Sequence, residues 1–160
     1  MADAKLEQKL ERLLDRLEIL LPKIEDEVDW SAAAFRWRRK QYLGMSYGVL
    51  EPIHRVALVD PDSIKNADQQ KAALLRNTEQ FVRGLPANNV LLTGARGTGK
   101  SSLIRACLKQ FADQGLRLIE VDKEDLKDLI DIAQRIADRP EKFIVFCDDL
   151  SCLLYTSDAA

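Results

Sequence analysis

The stretch VLLTGARGTGKSS occupies residues 90–102. Its first four residues are apolar or β-branched, which reads as a short buried strand. Residues 94–101 then fit G-x-x-x-x-G-K-[ST], the pattern of a phosphate-binding loop, with a long helical pattern opening inside it. The backbone amides of Gly94, Ala95, Arg96, Gly97, Thr98 and Gly99 must turn inward to form an anion-binding nest. Glycine permits the backbone angles and the close approach this needs. The helix that follows aims free N–H groups and the positive end of its dipole at the same phosphates. Lys100 adds a mobile charge for the β- and γ-phosphates, and the Ser101 hydroxyl is a hard oxygen suited to Mg²⁺. Ser102, in the first helical turn, can reach the α-phosphate. The Arg96 side chain is not specified by the pattern and is expected to face solvent.

Downstream of the loop, strands and helices alternate. A helix is expected over 100–114, with Leu103, Ile104, Cys107, Leu108 and Phe111 inward and Gly115 at its end. LRLIEV (116–121) reads as a strand, 125–138 as a helix broken near Ile130, and FIVFC (143–147) as a third strand. Strands separated by helices of this length imply crossover connections and a parallel sheet. The third strand runs into Asp148 and Asp149. An acid at the carboxyl end of such a strand can hold Mg²⁺ through water, because ligands collect at those strand ends. Asp148 takes that role, and Asp149 is placed to orient and deprotonate an attacking water.

Upstream, a helix is expected over 68–83, capped by Asp68, with Leu74, Leu75, Phe81 and Val82 on its apolar face and Gly84 as its stop. Residues 41–62 contain Gly44, Gly48, Pro52 and Pro61, and read as an extended linker with one short strand at 55–59. SAAAFRWRRK (31–40) reads as a short helix capped by Ser31. Its cations Arg36, Arg38, Arg39 and Lys40 interleave with Phe35 and Trp37, a composition that can bind nucleic acid through phosphates and base stacking. The favoured alternative is that the aromatics anchor the segment while the cations pair with the acidic stretch KIEDEVD (23–29). Residues 3–21 repeat leucine at spacings of three and four and read as an amphipathic helix, ended by Pro22, that packs on the body of the protein.

The chain has 160 residues, 46% hydrophobic and 31% charged, with net charge −2. That balance suits one soluble domain and gives no global pull toward nucleic acid or anionic lipid. No apolar run is long enough to span a membrane. Cys107, Cys147 and Cys152 are odd in number and widely spaced, which suits a reducing cytoplasm better than a disulfide framework. One histidine, His54, excludes a histidine-based metal cluster.

With both motifs located, residues 62–151 resemble the front half of an AAA+-type P-loop ATPase core. Residues 1–151 resemble, more closely, a bacterial family of predicted ATP-binding proteins of undefined function, through DWSAAAFRWRRK, YGVLEPI, LLRNTEQFVRGLPANNVLLTGARGTGKSSL, ADQGLRLIEVDKEDL and FCDDLS. The resemblance implies ATP and Mg²⁺ at residues 94–102 and Asp148, catalytic roles for Lys100 and Asp149, an adenine flanked by residues 64–70, and a homo-oligomer in the full-length protein. Asp149 departs from the commoner glutamate, which implies slow hydrolysis or a different water geometry. The fold expected is α/β: strands 1–3 of a five-stranded AAA+-like parallel sheet of order 5-1-4-3-2, preceded by an N-terminal helical segment. The division expected is 1–61 N-terminal helices and linker, 62–151 truncated core, and 152–160 tail.

The fourth strand, its polar sensor residue, the arginine finger and the helical lid are not among these residues. A gap between strands 1 and 3, or a substitute pairing, is therefore expected. CLLYTSDAA (152–160) is similar to one reading frame of a sequencing adapter and is expected to be read-through. Two alternatives to a general ATPase stand beside it: a nucleic-acid-associated, helicase-loader-like module using residues 35–40, and a P-loop small-molecule kinase.

Overall fold

The computed structural model describes residues 7, 9–13, 28–95 and 97–148. A four-stranded sheet organises them, with strand order β2-β1-β3-β4. β1 (Ala34–Tyr42) and β2 (Met45–Pro52) form an antiparallel hairpin. β1, β3 (Leu116–Glu120) and β4 (Lys142–Phe146) run parallel. The helices are α1 (Asp68–Val82), α2 (Lys100–Phe111) and α3 (Leu129–Ile136). This is a mixed α/β architecture with a mostly parallel sheet. β3 and β4, the expected second and third core strands, are parallel neighbours as the order 5-1-4-3-2 requires. No helix among the described residues is long and apolar enough to cross a membrane.

Residues 32–40 correct the sequence reading, since none is helical and 34–40 lie in β1. Alternation explains it. Phe35 and Trp37 lie two residues apart, so they share one face of a strand and cannot share a face of a helix. The three alanines favour helix locally, but burial of both aromatics decides the outcome. The linker expected over 41–62 contains β2 instead, joined to β1 by Leu43-Gly44. Both turn residues have positive φ, 47° and 81°. That sign pattern belongs to a type I′ turn, whose twist matches the strands it joins. Residues 55–59 form no strand.

Residues 90–93 also differ from the expectation of a buried strand. They pair with no strand among the described residues, and Val90 and Leu91 are 48% and 74% exposed. The expected neighbour of this segment is the fourth core strand, which is not among the described residues. An extended segment with no ladder partner cannot close its backbone hydrogen bonds within a sheet. Residues 90–93 therefore stand outside the sheet.

The second crossover is split, as the sequence suggests: a 3₁₀ stretch at Lys123–Asp128 leads into α3. α1 starts from Ala67 with no side-chain cap, and Asp68 lies inside its first turn. At the N-terminus, residues 9–13 are helical, but Leu10 and Leu13 are exposed, which corrects the expectation that these leucines pack on the body. The rest of the 3–21 helix and the acidic stretch up to residue 27 lie outside the described residues, as do Arg96 and residues 149–160.

Two apolar clusters sandwich the sheet. On one face Phe35, Trp37, Leu50, Ile119, Val121 and Ile132 pack together under α3. On the other, Ala34 and Leu118 meet Leu74 of α1 and Leu103, Ile104, Cys107 and Leu108 of α2. Each large side chain buried this way contributes about 1.5–3 kcal/mol. The hairpin therefore shares one sheet and both apolar clusters with the strands that follow the phosphate loop.

Candidate functional site: the phosphate loop and the end of the last strand

Residues 94–101 fold as a tight loop running into α2. Gly94, Gly97 and Gly99 have φ of 140°, 82° and 85°. Those are left-handed or strained conformations that side chains with a Cβ rarely adopt, so the glycine positions of the motif are dictated by the backbone. Gly99 is the N-cap of α2, with no side-chain capping bond. Among the described residues, the first N–H groups of α2 thus have no side-chain oxygen held over them. Lys100 folds back over the loop and donates to the Gly94 and Ala95 carbonyls, both at 2.8 Å. The Thr98 hydroxyl donates to the Ala95 carbonyl at 2.8 Å and tightens the same turn.

The tertiary fold brings the second motif to this loop. The Ser101 hydroxyl donates to Asp148 Oδ2 at 2.7 Å, across 47 residues of chain. α2 carries Ser101 because its apolar side docks on the sheet, and β4 carries Asp148 to its carboxyl end because Ile144 and Phe146 pack against that same cluster. One hydroxyl and one carboxylate side by side are hard oxygen donors. They suit Mg²⁺, which binds through one or two protein oxygens plus water and phosphate. Among the described residues, no group of three or more His, Cys, Asp or Glu is placed to hold a metal ion. Ser102 lies in the first turn of α2, whereas Arg96 and Asp149, both expected at the site, lie outside the described residues.

Asp122, just past β3, is a neighbour the sequence reading missed. It pairs with Arg38 at 3.0 Å. Burial pushes the Cys147 thiol upward, and the Asp122 and Asp148 carboxylates push it further. The signal was present in the sequence, because Val121-Asp122 is also an apolar strand running into an acid.

The segment expected beside the adenine is tied to the same helices. Lys109 of α2 bonds Asp60 at 2.7 Å, holding that carboxyl below its ordinary value, and the Asp62 amide lowers it further. Lys71 of α1 donates to the Pro61 and Ile64 carbonyls at 3.0 and 3.2 Å. Ile64 packs against the α2 cluster.

Residues 35–40 offer no surface of the kind the nucleic-acid reading needs. Phe35 and Trp37 are 0% and 1% exposed, so no base can stack on them. Arg36 pairs with Glu120, Arg38 with Asp122, Arg39 with Asp128 and Lys40 with Glu51, at 2.6–3.2 Å. The favoured alternative, anchored aromatics with paired cations, describes the geometry, although the acids named here come from β2, from β3 and from the chain that follows it. Asp128 is the pivot: buried, it accepts from Trp37 Nε1 at 3.0 Å and from Arg39 at 3.2 Å. Arg135 lies over the Trp37 ring, 5.8 Å from its centroid. A shallow cleft of about 450 Å³ opens beside this cluster, lined by Trp37, Tyr47, Gly48, Asp131, Gln134 and Arg135. It lies on the α3 side of the sheet, opposite α2, and includes none of the phosphate-loop residues.

Comparison with known proteins places the chain in a family. A family model described as "Protein of unknown function (DUF815)" matches residues 30–158, and the chain belongs to that family. The chain is also 28% identical over 102 residues to the replication factor C large subunit of Sulfolobus acidocaldarius, a match covering 60% of this chain and 23% of that protein. The chain thus spans about a quarter of that relative's length. No solved structure matches.

Proposed function

We propose that this chain is the nucleotide-binding part of an AAA+-like ATPase, with residues 62–151 as its core. The contact between Ser101 and Asp148 carries the reading. A glycine-rich turn capping a helix by chance has no reason to meet the acid at the end of a strand far along the chain. The similarity to a replication factor subunit supports the same class.

The roles follow from the geometry. The amides of residues 94–102 cradle the phosphates of ATP, with the α2 N-terminus aimed at them. Lys100, anchored to two loop carbonyls, has its charge positioned at the loop mouth. Ser101 and Asp148 would hold Mg²⁺, which when bound neutralises charge between the β- and γ-phosphates. Asp149 follows directly and is assigned to orient the attacking water. Residues 64–70 flank the adenine. The full-length protein, as an ATPase of this class, works as an oligomer in the cytoplasm.

Titration of the full-length protein with ATP and Mg²⁺ tests this. Binding is expected, and Lys100→Ala should abolish it with little change in the melting curve, because among the described residues its hydrogen bonds go to two exposed loop carbonyls. Ser101→Ala and Asp148→Asn should remove the Mg²⁺ dependence of affinity. Binding that survives Lys100→Ala would overturn the reading. Single-turnover hydrolysis by Asp149→Glu and Asp149→Asn tests the base, and unchanged turnover in both would remove that assignment.

A further inference from the structure

We propose that the outer edge of β2 is a self-association surface, on which residues 46–50 pair antiparallel with the same residues of a second copy of this chain. β2 ends the strand order, so among the described residues its outer edge has no partner. Edge strands are ordinarily guarded by charge, proline, bulges or shortness. This one is eight residues long and keeps continuous register with β1, with no bulge. Residues 41–50 (QYLGMSYGVL) contain no charged side chain, in a chain that is 31% charged. Proline enters only at Pro52.

Hydrogen-bond parity shows what the edge presents. The Ile53 amide donates to the Ala34 carbonyl at 2.8 Å, which makes 34↔53 a hydrogen-bonded pair of the hairpin. Bonded and non-bonded pairs alternate along an antiparallel ladder. Ser46, Gly48 and Leu50 therefore turn their N–H and C=O groups outward. Pro52, next in that series, has no N–H to offer and closes the edge.

Three outward residues spaced by two form a self-complementary set. With Gly48 on a twofold axis, Ser46 of each copy faces Leu50 of the other, and every outward donor meets an outward acceptor. The second copy is the occupant that the composition favours. A twofold contact sets identical patches against each other, so a charged patch meets its own sign. The uncharged run 41–50 avoids that cost along the residues that would pair. Glycine at the axis lets the two backbones approach. Leu43 and Met45, 77% and 66% exposed at the hairpin tip, gain cover from the other copy's strand end.

Sedimentation of the full-length protein over a concentration series, paired with amide hydrogen exchange, tests the proposal. A dimer is expected in which the Ser46, Gly48 and Leu50 amides gain protection as concentration rises. Ser46→Pro removes one outward N–H and no bond of the hairpin ladder, and should raise the dimer dissociation constant about tenfold or more. Ser46→Ala controls for loss of the Arg39–Ser46 side-chain bond and should leave the dimer intact. Four outcomes would overturn the proposal: a monomer at every concentration, a dimer whose three amides exchange freely, a dimer indifferent to Ser46→Pro, or protection independent of concentration. The last would show another segment of the same chain on the edge.

Discussion

Gly48→Ala is the substitution whose cost can be worked most directly from the structure. A Cβ built on Gly48 would lie 1.9 Å from Cζ2, 2.3 Å from Cη2 and 2.7 Å from Cε2 of Trp37. Carbon atoms pack at about 3.5–4.0 Å, so the ring would have to retreat by about 1.6 Å or more. Its burial and its hydrogen bond oppose that shift. Trp37 is 1% exposed, and its Nε1 is held by Asp128 at 3.0 Å. Overpacking of this kind costs about 1–3 kcal/mol. Breaking a hydrogen bond to a carboxylate adds about 1.5–3 kcal/mol. The strand preference for alanine over glycine returns about 0.5–1 kcal/mol. The net expectation is a loss of about 1.5–5.5 kcal/mol, a large part of a typical domain's total of about 5–15 kcal/mol. Urea unfolding followed by far-ultraviolet circular dichroism measures it, with Trp37→Val closing a double-mutant cycle. With the ring gone, Gly48→Ala should be neutral or slightly stabilising. A cost below about 1 kcal/mol in the wild-type background, or the same cost in both backgrounds, would refute this account of the hairpin's packing.

Three further expectations concern the same scaffold. Asp128→Ala should destabilise by about 2–4 kcal/mol, since it strands the buried Trp37 N–H and the Arg39 charge, and Asp128→Asn should cost less because it keeps an acceptor for Trp37; equal losses in urea melts would count against the pivot. Leu43 sits at φ 47°, a conformation that costs a residue with a Cβ about 1–2 kcal/mol, so Leu43→Asn should stabilise the hairpin by about 0.5–1 kcal/mol, read as a higher urea midpoint at concentrations where the protein is monomeric. The Asp60 carboxyl is held below its ordinary value by Lys109, so its contribution to stability is present above the unfolded-state pKa and lost as pH falls through the folded one; Lys109→Met should raise the Asp60 midpoint in a carbon-13 NMR titration and flatten the acid limb of the stability profile.

The glycine-rich loop, the crossovers and the strand that leads to Asp148 were legible from sequence because each rests on local constraints. Positive-φ glycines are demanded by the loop itself, and the alternation of strands with helices is written in the spacing of apolar residues. Residues 32–40 were misread because three alanines carry a local helical preference, whereas the period-two placement of Phe35 and Trp37 matters only once there is a core to bury them. Residues 90–93 have the composition of a strand, but a strand exists only when a neighbour completes its ladder.

The sequence by itself determined the chemistry offered at residues 94–101 and at Asp148, since residue types and backbone freedom are local properties. Only the tertiary structure decided that Ser101 and Asp148 meet, that Asp122 and Asp148 both raise the Cys147 thiol, that the cations of β1 are spent on ion pairs, and that β2 lies at the edge. Each of those depends on which strands lie side by side, and strand neighbours are chosen by the burial of whole faces.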